Sequence, residues 1–196
     1  MGSLENALQI LDLLGPDRPV LRVGEACRDL ELPKSSVSRL LRALSEAGLL
    51  EREEAGQGYV VGPGALRLGN LYLGRHSLMR LIDEALGGLI AEFGFTGYAS
   101  VLSGVDIVLL RLRQGAYPLR HVREIGARLP AWQTAMGAAL LARLPDHAVR
   151  ARFVDHHGRV PRMIGINGLL TRLTMARRDR FVLAPSQLTP GISTIS

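Results

Sequence analysis

Apolar residues in the first quarter of the chain recur at helical spacing, in short segments separated by polar or glycine-containing turns. This pattern predicts three helices, over 4–14, 23–30 and 33–47. Gly48 is placed to end the third helix as a left-handed cap. The turn 31–33 joins the second and third helices, as is typical of a helix-turn-helix. The apolar stripe of the third helix consists of Val37, Leu40, Leu41 and Leu44.

The opposite face of the third helix carries small hydroxyls near its start and guanidinium groups farther along. Small residues let a helix backbone approach base edges, and arginine can bridge guanine or hold a phosphate. This face therefore indicates a helix that binds in the DNA major groove, although an ordinary amphipathic surface helix has the same pattern. The residues predicted to contact DNA are Lys34 (the only lysine of the chain), Ser35, Ser36, Ser38, Arg39 and Arg42.

Two β-prone runs, 49–54 and 59–62, flank the turn 55–58 and predict a hairpin. A short edge strand precedes the second helix, so the order of elements is that of a winged helix-turn-helix. In this arrangement the hairpin lies beside the third helix, and its tip reaches the DNA backbone or the minor groove. Arg52 and Gln57 are the predicted DNA contacts of the hairpin.

The pattern of apolar residues changes in the second part of the chain. The spacing of leucines predicts a linker helix over 63–74 and a long amphipathic helix over 78–93. The later segments predict an α+β arrangement with an antiparallel sheet. Its strands are expected over 96–102, 106–112, 119–122, 181–183 and 192–196, and its helices over 132–144 and 169–179.

Composition and charge narrow the possible functions. The 196 residues are 47% hydrophobic, which is typical of a globular protein, and no apolar run is long enough to predict a membrane span. The chain has a single cysteine, Cys27, which is predicted to lie in the core. The absence of a cysteine pair is typical of a cytoplasmic protein. The net charge is +6, but residues 1–75 hold nine Lys/Arg and ten Asp/Glu, a net of −1. DNA binding by this part must therefore depend on where its cations stand.

The sequence contains no pattern typical of catalysis. The five histidines are scattered, and neither a zinc-protease motif, a phosphate loop nor a nucleophile elbow is present. We therefore expect no cofactor, no metal and no enzymatic activity. An enzyme and a winged helix that binds another protein are the alternatives to a DNA-binding protein.

Five stretches, spread in order over nearly the whole chain, resemble the IclR-type family of bacterial transcription regulators. They are 32–41, 98–102, 124–130, 134–142 and 187–193. The resemblance implies a winged helix-turn-helix over 1–63, a dimerising linker helix over 64–76 and a GAF-like effector-binding domain over 77–196. It implies a cytoplasmic homodimer or dimer of dimers that binds an inverted-repeat operator and responds to a small organic acid.

The resemblance also places the effector near the start of the helix 134–142 and along the strand that follows Gly191. A helix N-terminus offers free N–H groups to a carboxylate. Two departures from the family are visible. Ala138 stands where a lysine is frequent, and the chain ends within a strand, so we expect the effector domain to be incomplete. The residues implied to contact the effector are Ser100, Trp132, Thr134, Ala135, Met136, Ile192 and Thr194.

Overall fold

A computed structural model of the chain describes residues 2–54, 56, 58–74, 78–117, 123–155, 165–185 and 193–196. The chain divides into two compact units, Met1–Leu81 and Ile82–Ser196. Helices and strands are both well represented, with the helix-turn-helix in the first unit and a sheet covered by helices in the second. This distribution confirms the predicted α+β class.

The described residues of the first unit form four helices, one hairpin and the first turn of a fifth helix. Leu21 forms a bridge to Tyr59, with both of its backbone hydrogen bonds at 2.9 Å, so the predicted edge strand is reduced to one paired residue. The predicted order of helix-turn-helix and hairpin is confirmed. The elements are α1 (Ser3–Asp12), α2 (Val23–Leu30), α3 (Lys34–Glu46), β1 (Leu50–Arg52), β2 (Tyr59–Val61) and α4 (Pro63–Gly74).

The core of the first unit forms where α1, α2 and the hairpin pack around α3. The apolar stripe predicted for α3 is buried, and Cys27 is half-buried against the same core. Full burial of a large aliphatic side chain contributes about 1.5–3 kcal/mol, so this stripe fixes which face of α3 remains in solvent. The fully buried members of the core include Ile10, Leu21, Ala26, Val37 and Leu41.

The end of α3 is fixed by its backbone. Gly48 has a φ of +73°, its N–H donates to Ser45 at 2.9 Å, and the Leu49 N–H donates to Leu44 at 3.0 Å. These two bonds form the glycine-terminated cap predicted from the sequence. The Gly48 carbonyl then accepts a hydrogen bond from the Gly64 N–H at 2.8 Å. A Cβ atom at Gly64 would stand 2.6 Å from that oxygen, so the first turn of α4 lies directly against the end of α3.

The second unit places helices against an antiparallel sheet. Strands β3, β4 and β5 pair in that order, and a register shift interrupts the β3–β4 ladder between Ala99 and Ser100. Strands β6 and β7 form a separate antiparallel pair, which mutual hydrogen bonds between Val182 and Ser196 extend. The elements are α5 (Leu78–Phe93), β3 (Gly97–Ser103), β4 (Asp106–Arg113), β5 (Arg128–Pro130), a 3-10 turn (Ala131–Gln133), α6 (Ala135–Ala142), α7 (Asp146–Asp155), α8 (Gly165–Asp179), β6 (Leu183–Pro185) and β7 (Ser193–Ile195).

The core of the second unit lies between β4 and the helices α6, α7 and α8. Ile107 and Leu109 of β4 are buried against Leu141 of α6, Val149 of α7 and Leu173 of α8. Helix α6 contributes small residues to this core, which lets it pack closely against α8. The backbone of α6 therefore lies close to its neighbours, and this close packing fixes the position of the helix.

Several predicted helix bounds were wrong. The helix expected over 132–144 is a 3-10 turn and a separate α6, because Thr134 adopts extended backbone angles and caps α6. Helix α8 begins at Gly165, four residues before its predicted start, and α1 ends at Asp12. Helix α7 was not predicted, since among the side chains described for this short segment Val149 and Phe153 alone are buried.

Two strand predictions also changed. The strand expected over 181–183 lies at Leu183–Pro185, because the preceding residues leave α8 in a turn. Strand β5 was not predicted, since its single aliphatic residue, Leu129, lies between Arg128 and Pro130. The strand expected over 119–122 lies outside the described residues.

Candidate functional site

The start of α3 is open to a ligand. Pro33 precedes the helix and supplies no side-chain cap, and the first turn contains no acidic residue. The first N–H groups of a helix lack partners within the helix, and its N-terminus carries a partial positive charge. Lys34 adds a full positive charge at the same end and is exposed. This end of α3 is therefore suited to a phosphate.

The cations on the outer face of α3 differ from other cations of the first unit in their partners. Arg18 forms an ion pair with Asp29, and Arg22 forms one with Glu25. Lys34, Arg39 and Arg42 are exposed, and none makes an ion pair or side-chain hydrogen bond within the part of the chain that the structure describes. Positive charge that forms no ion pair among the described residues thus lies on α3, although residues 1–75 carry a net charge of −1.

The serines of this face stand beside the cations. Ser35 is exposed, whereas Ser36 and Ser38 are half-buried at the margin of the apolar stripe. Small side chains at these positions leave the helix backbone accessible. The structure therefore leaves four of the six predicted residues of α3 exposed and the other two, Ser36 and Ser38, at the edges of the buried stripe.

The hairpin supplies one further predicted contact. The Arg52 guanidinium carbon lies 4.8 Å from the centre of the Tyr59 ring, within the range of a cation–π interaction. Tyr59 itself is buried in the core of the first unit. This stacking fixes Arg52 on the hairpin while leaving it exposed. Gln57 lies outside the described residues.

Four of the predicted effector residues lie at the start of α6 or just before it, namely Trp132, Thr134, Ala135 and Met136. Thr134 is buried, and its hydroxyl accepts a hydrogen bond from the Gly137 N–H at 2.8 Å and donates one to the Ala131 carbonyl at 3.4 Å. Thr134 thus acts first as a helix cap. The N–H groups of Ala135 and Met136 precede the capped one and are the first of α6.

Two strands bring the other predicted effector residues to the same helix. Ser100 of β3 pairs with the buried Leu109, and Thr194 of β7 pairs with the buried Ala184. Partners in an antiparallel ladder point to the same face of the sheet, and both β3 and β7 contact α6. Ser100 and Thr194 therefore lie on the faces that α6 covers. Ile192 lies outside the described residues.

Sequence reasoning missed two arginines of α8 that bind the backbone around α6. Arg172 donates from Nη1 to the Trp132 carbonyl at 2.8 Å. Arg177 donates to the carbonyls of Ala142 and Leu144 at 2.9 and 2.8 Å, and to Asp146 at 2.8 Å. Burial lowers the pKa of Arg172 below its ordinary value. These bonds join residues 31 to 40 positions apart, so no local pattern in the sequence signals them.

The part of the chain that the structure describes holds neither a metal site nor a helix that could span a membrane. Among the described residues, no three His, Cys, Asp or Glu side chains come together in a way that could hold a metal ion. Within the same residues, no helix combines the length and the apolar character needed to cross a membrane.

Comparisons with known proteins agree with this architecture. A family model described as the IclR helix-turn-helix domain matches residues 3–54. The probable transcriptional regulator SauR of Cupriavidus necator is 31% identical over 148 residues, which are 76% of this chain and 58% of SauR. The chain spans less than three-fifths of the length of SauR and of the regulator XynR of Escherichia coli.

Solved structures match over the whole chain. The repressor BlcR of Agobacterium tumefaciens is 30% identical, with a TM-score of 0.53, and the match covers 98% of this chain and 77% of BlcR. An IclR homologue of Microbacterium hydrocarbonoxydans, solved in complex with 4-hydroxybenzoate, is 21% identical with a TM-score of 0.75 and coverage of 99% and 81%. These relatives are regulators and not enzymes, which removes the enzyme alternative. The chain belongs to the IclR family of transcriptional regulators.

Proposed function

We propose that this chain is a cytoplasmic transcriptional regulator that binds operator DNA through α3. The observation that carries the proposal is the set of exposed cations on α3, Lys34, Arg39 and Arg42, which form no ion pair among the described residues, in a segment (1–75) whose net charge is −1. In the major groove, Ser35, Ser36 and Ser38 let the backbone approach the bases while the arginines contact guanine or phosphate. Arg52 and Gln57 of the hairpin are proposed to contact the adjacent DNA.

The fold and the exposed surface of α4 support the further proposal of a homodimer on an inverted-repeat operator. No residue of α4 is buried, and its exposed apolar side chains include Leu66 and Leu71, which line a groove with Pro63, Arg67 and Asn70. A second copy of this helix would cover that surface. Two-fold symmetry would then set the two reading helices about one DNA turn apart, or about 34–36 Å, and a dimer of dimers would repeat the arrangement.

The second unit is proposed to bind a small organic acid at the start of α6. The free N–H groups of Ala135 and Met136 suit a carboxylate. Trp132 and Met136 are half-buried and suit an apolar body. Ser100, Thr134, Ile192 and Thr194 complete the proposed site. The acid would change operator affinity only if it bound the two states of the regulator with different affinities.

The decisive experiment measures DNA binding by fluorescence anisotropy. The probe is duplex DNA from the region upstream of this gene, titrated across a series of salt concentrations. A module that neutralises phosphates must weaken steeply as salt rises. A flat salt response would favour the remaining alternative, a winged helix that binds another protein.

Two variants and one control assign the contact to α3. Arg39→Ala should weaken operator binding by about tenfold or more, since a good bidentate contact with a base is worth about 1–3 kcal/mol. Ser36→Ala should weaken it less. Arg18→Ala removes the same charge from a paired position of the same unit and should leave affinity nearly unchanged. Operator affinities of Arg39→Ala and Ser36→Ala that equal the wild-type value would exclude this face of α3 as the reader.

A further inference from the structure

Two arginines of α8 bind the backbone at opposite ends of α6, and the helix dipole of α6 favours only one of them. Arg177 holds the carbonyls of Ala142, the last residue of α6, and of Leu144, two residues beyond it. A cation there is favourable, because a helix C-terminus carries a partial negative charge. Arg172 holds the Trp132 carbonyl, just before the N-terminal end of α6. Here the helix dipole opposes the cation and burial adds a further cost, so helix electrostatics alone do not explain Arg172.

The hydrogen bond of Arg172 fixes a short connected piece of structure. Trp132 lies in the 3-10 turn Ala131–Gln133, and Thr134 follows it directly. The Thr134 cap depends on this turn, because its hydroxyl donates to Ala131 while accepting from Gly137. The space around the turn is tight, since a Cβ atom at Gly137 would stand 2.1 Å from the Ala131 oxygen. Any shift of the turn must therefore move both the Trp132 ring and the first N–H groups of α6.

We propose that Arg172 is a positioning residue of the effector site, which holds the turn Ala131–Gln133 so that Trp132 and the start of α6 are ordered before the acid arrives. The inference rests on the effector site proposed above and adds to it a residue of α8. A pre-ordered site binds more tightly than one that must be ordered during binding. Arg172 also links the site to α8, so that a displacement of the turn by a bound acid would reach that helix.

Trp132 is the only tryptophan of the chain, so its emission reports on this turn alone. Arg172→Met keeps an apolar stem of similar length and removes the N–H donors. We expect a red shift of the Trp132 emission and stronger quenching by acrylamide in the ligand-free protein. Arg178→Met is the matched control, because Arg178 lies on the same helix, is exposed and pairs with its neighbour Asp179. Arg172→Lys, which keeps a donor, should restore most of the wild-type emission.

The outcomes separate this inference from the proposed function. A folded Arg172→Met variant with the wild-type emission and quenching overturns the positioning role. If that variant does not melt cooperatively, Arg172→Gln replaces it, since this shorter polar side chain does not reach the Trp132 oxygen. The same red shift is then expected, and unchanged emission again overturns the role.

A ligand titration supplies the second readout. Calorimetry with 4-hydroxybenzoate should show binding to Arg172→Met about tenfold weaker than to the wild type, as expected for loss of a charge-assisted hydrogen bond that orders the site. Arg178→Met should bind as the wild type does. Equal affinities of Arg172→Met and wild type overturn the role in the effector site. If the wild type does not bind this acid, the proposed effector class fails, while the emission comparison still decides whether Arg172 holds the turn.

Discussion

The starts of α3 and α6, the two proposed binding sites, differ in how the structure holds their functional groups. At α3, the side chains of Lys34 and Arg39 extend into solvent and make no ion pair among the described residues. At α6, the Thr134 hydroxyl and the Trp132 carbonyl are both hydrogen-bonded within the protein. At α3 the proposed contacts are side chains that the fold does not use. At α6 they are backbone groups, and residues far away in the sequence hold them in position.

This difference has a consequence for mutation. A substitution on the outer face of α3 should change DNA affinity and leave folding intact, because no core contact is lost. A substitution near the start of α6 should change folding and ligand binding together, since the same groups serve both. Substitutions at Gly137 and Lys34 test this contrast directly, and substitutions at Gly64 and Glu25 test the contacts that hold the first unit around α3.

Gly137→Ala should destabilise the second unit by about 3 kcal/mol or more, because the new Cβ would stand 2.1 Å from a backbone oxygen that cannot move away freely. Urea unfolding followed by Trp132 emission measures the change. Gly88→Ala in α5 is the control, where no atom lies within 4 Å and a gain of about 0.5–1 kcal/mol is expected. If Gly137→Ala unfolded at the same urea concentration as the wild type, the start of α6 would not be tightly packed and would not differ from the start of α3 in this respect.

Gly64→Ala should destabilise the first unit by about 2 kcal/mol, since its Cβ would stand 2.6 Å from the Gly48 oxygen. Thermal melting followed by circular dichroism measures the loss, and the Trp132 emission of the folded protein should not change. Gly69→Ala, in the same helix with nothing within 4 Å, should stabilise it by about 0.5–1 kcal/mol. Equal melting of the two variants would contradict the close approach of α4 to Gly48.

Lys34→Ala should lower the slope of log affinity against log salt by about 1, because one phosphate contact is lost. Arg18→Ala, which removes a paired charge, should leave the slope unchanged. Anisotropy titrations with operator DNA at several salt concentrations measure both slopes. If Arg18→Ala lowered the salt dependence more than Lys34→Ala did, the ion pair of Arg18 with Asp29 would not keep that arginine from binding DNA.

Glu25→Gln should give the smallest effect, confined to acid solution. The Arg22 backbone N–H donates to the Glu25 carboxylate at 3.0 Å, and this bond lowers the pKa of Glu25. A lowered pKa in the folded state adds stability above the pKa of the unfolded chain, and this stability is lost as the pH falls through the folded pKa. The melting temperatures of wild type and Glu25→Gln should therefore converge toward acid pH. A constant difference would contradict the assignment, and Glu5→Gln serves as the control.

The sequence predicted the first unit well because its determinants are local. The buried stripe of α3 follows from helical spacing, and Gly48 marks the end of that helix by its own conformational freedom. The start of α6 was harder to predict. Thr134 lies within an apolar run that resembles one long helix, and its role as a cap depends on the contact between Gly137 and Ala131.

The role of α8 could not be predicted at all from spacing. Arg172 and Arg177 stand among other arginines on a helix with an ordinary amphipathic pattern, and Arg178 next to them only pairs with Asp179. What distinguishes Arg172 is a carbonyl 40 positions earlier in the chain. Long-range backbone acceptors of this kind leave no trace in composition or periodicity.

The hydrogen bond between the Gly64 N–H and the Gly48 oxygen joins the start of α4 directly to the turn that ends α3. A Cβ at Gly62 or Gly64 would stand 2.6 Å from that same oxygen, so the two backbones meet without space for a side chain. We therefore expect a rotation of α4 to carry α3, and with it the proposed DNA-binding face, in the same direction.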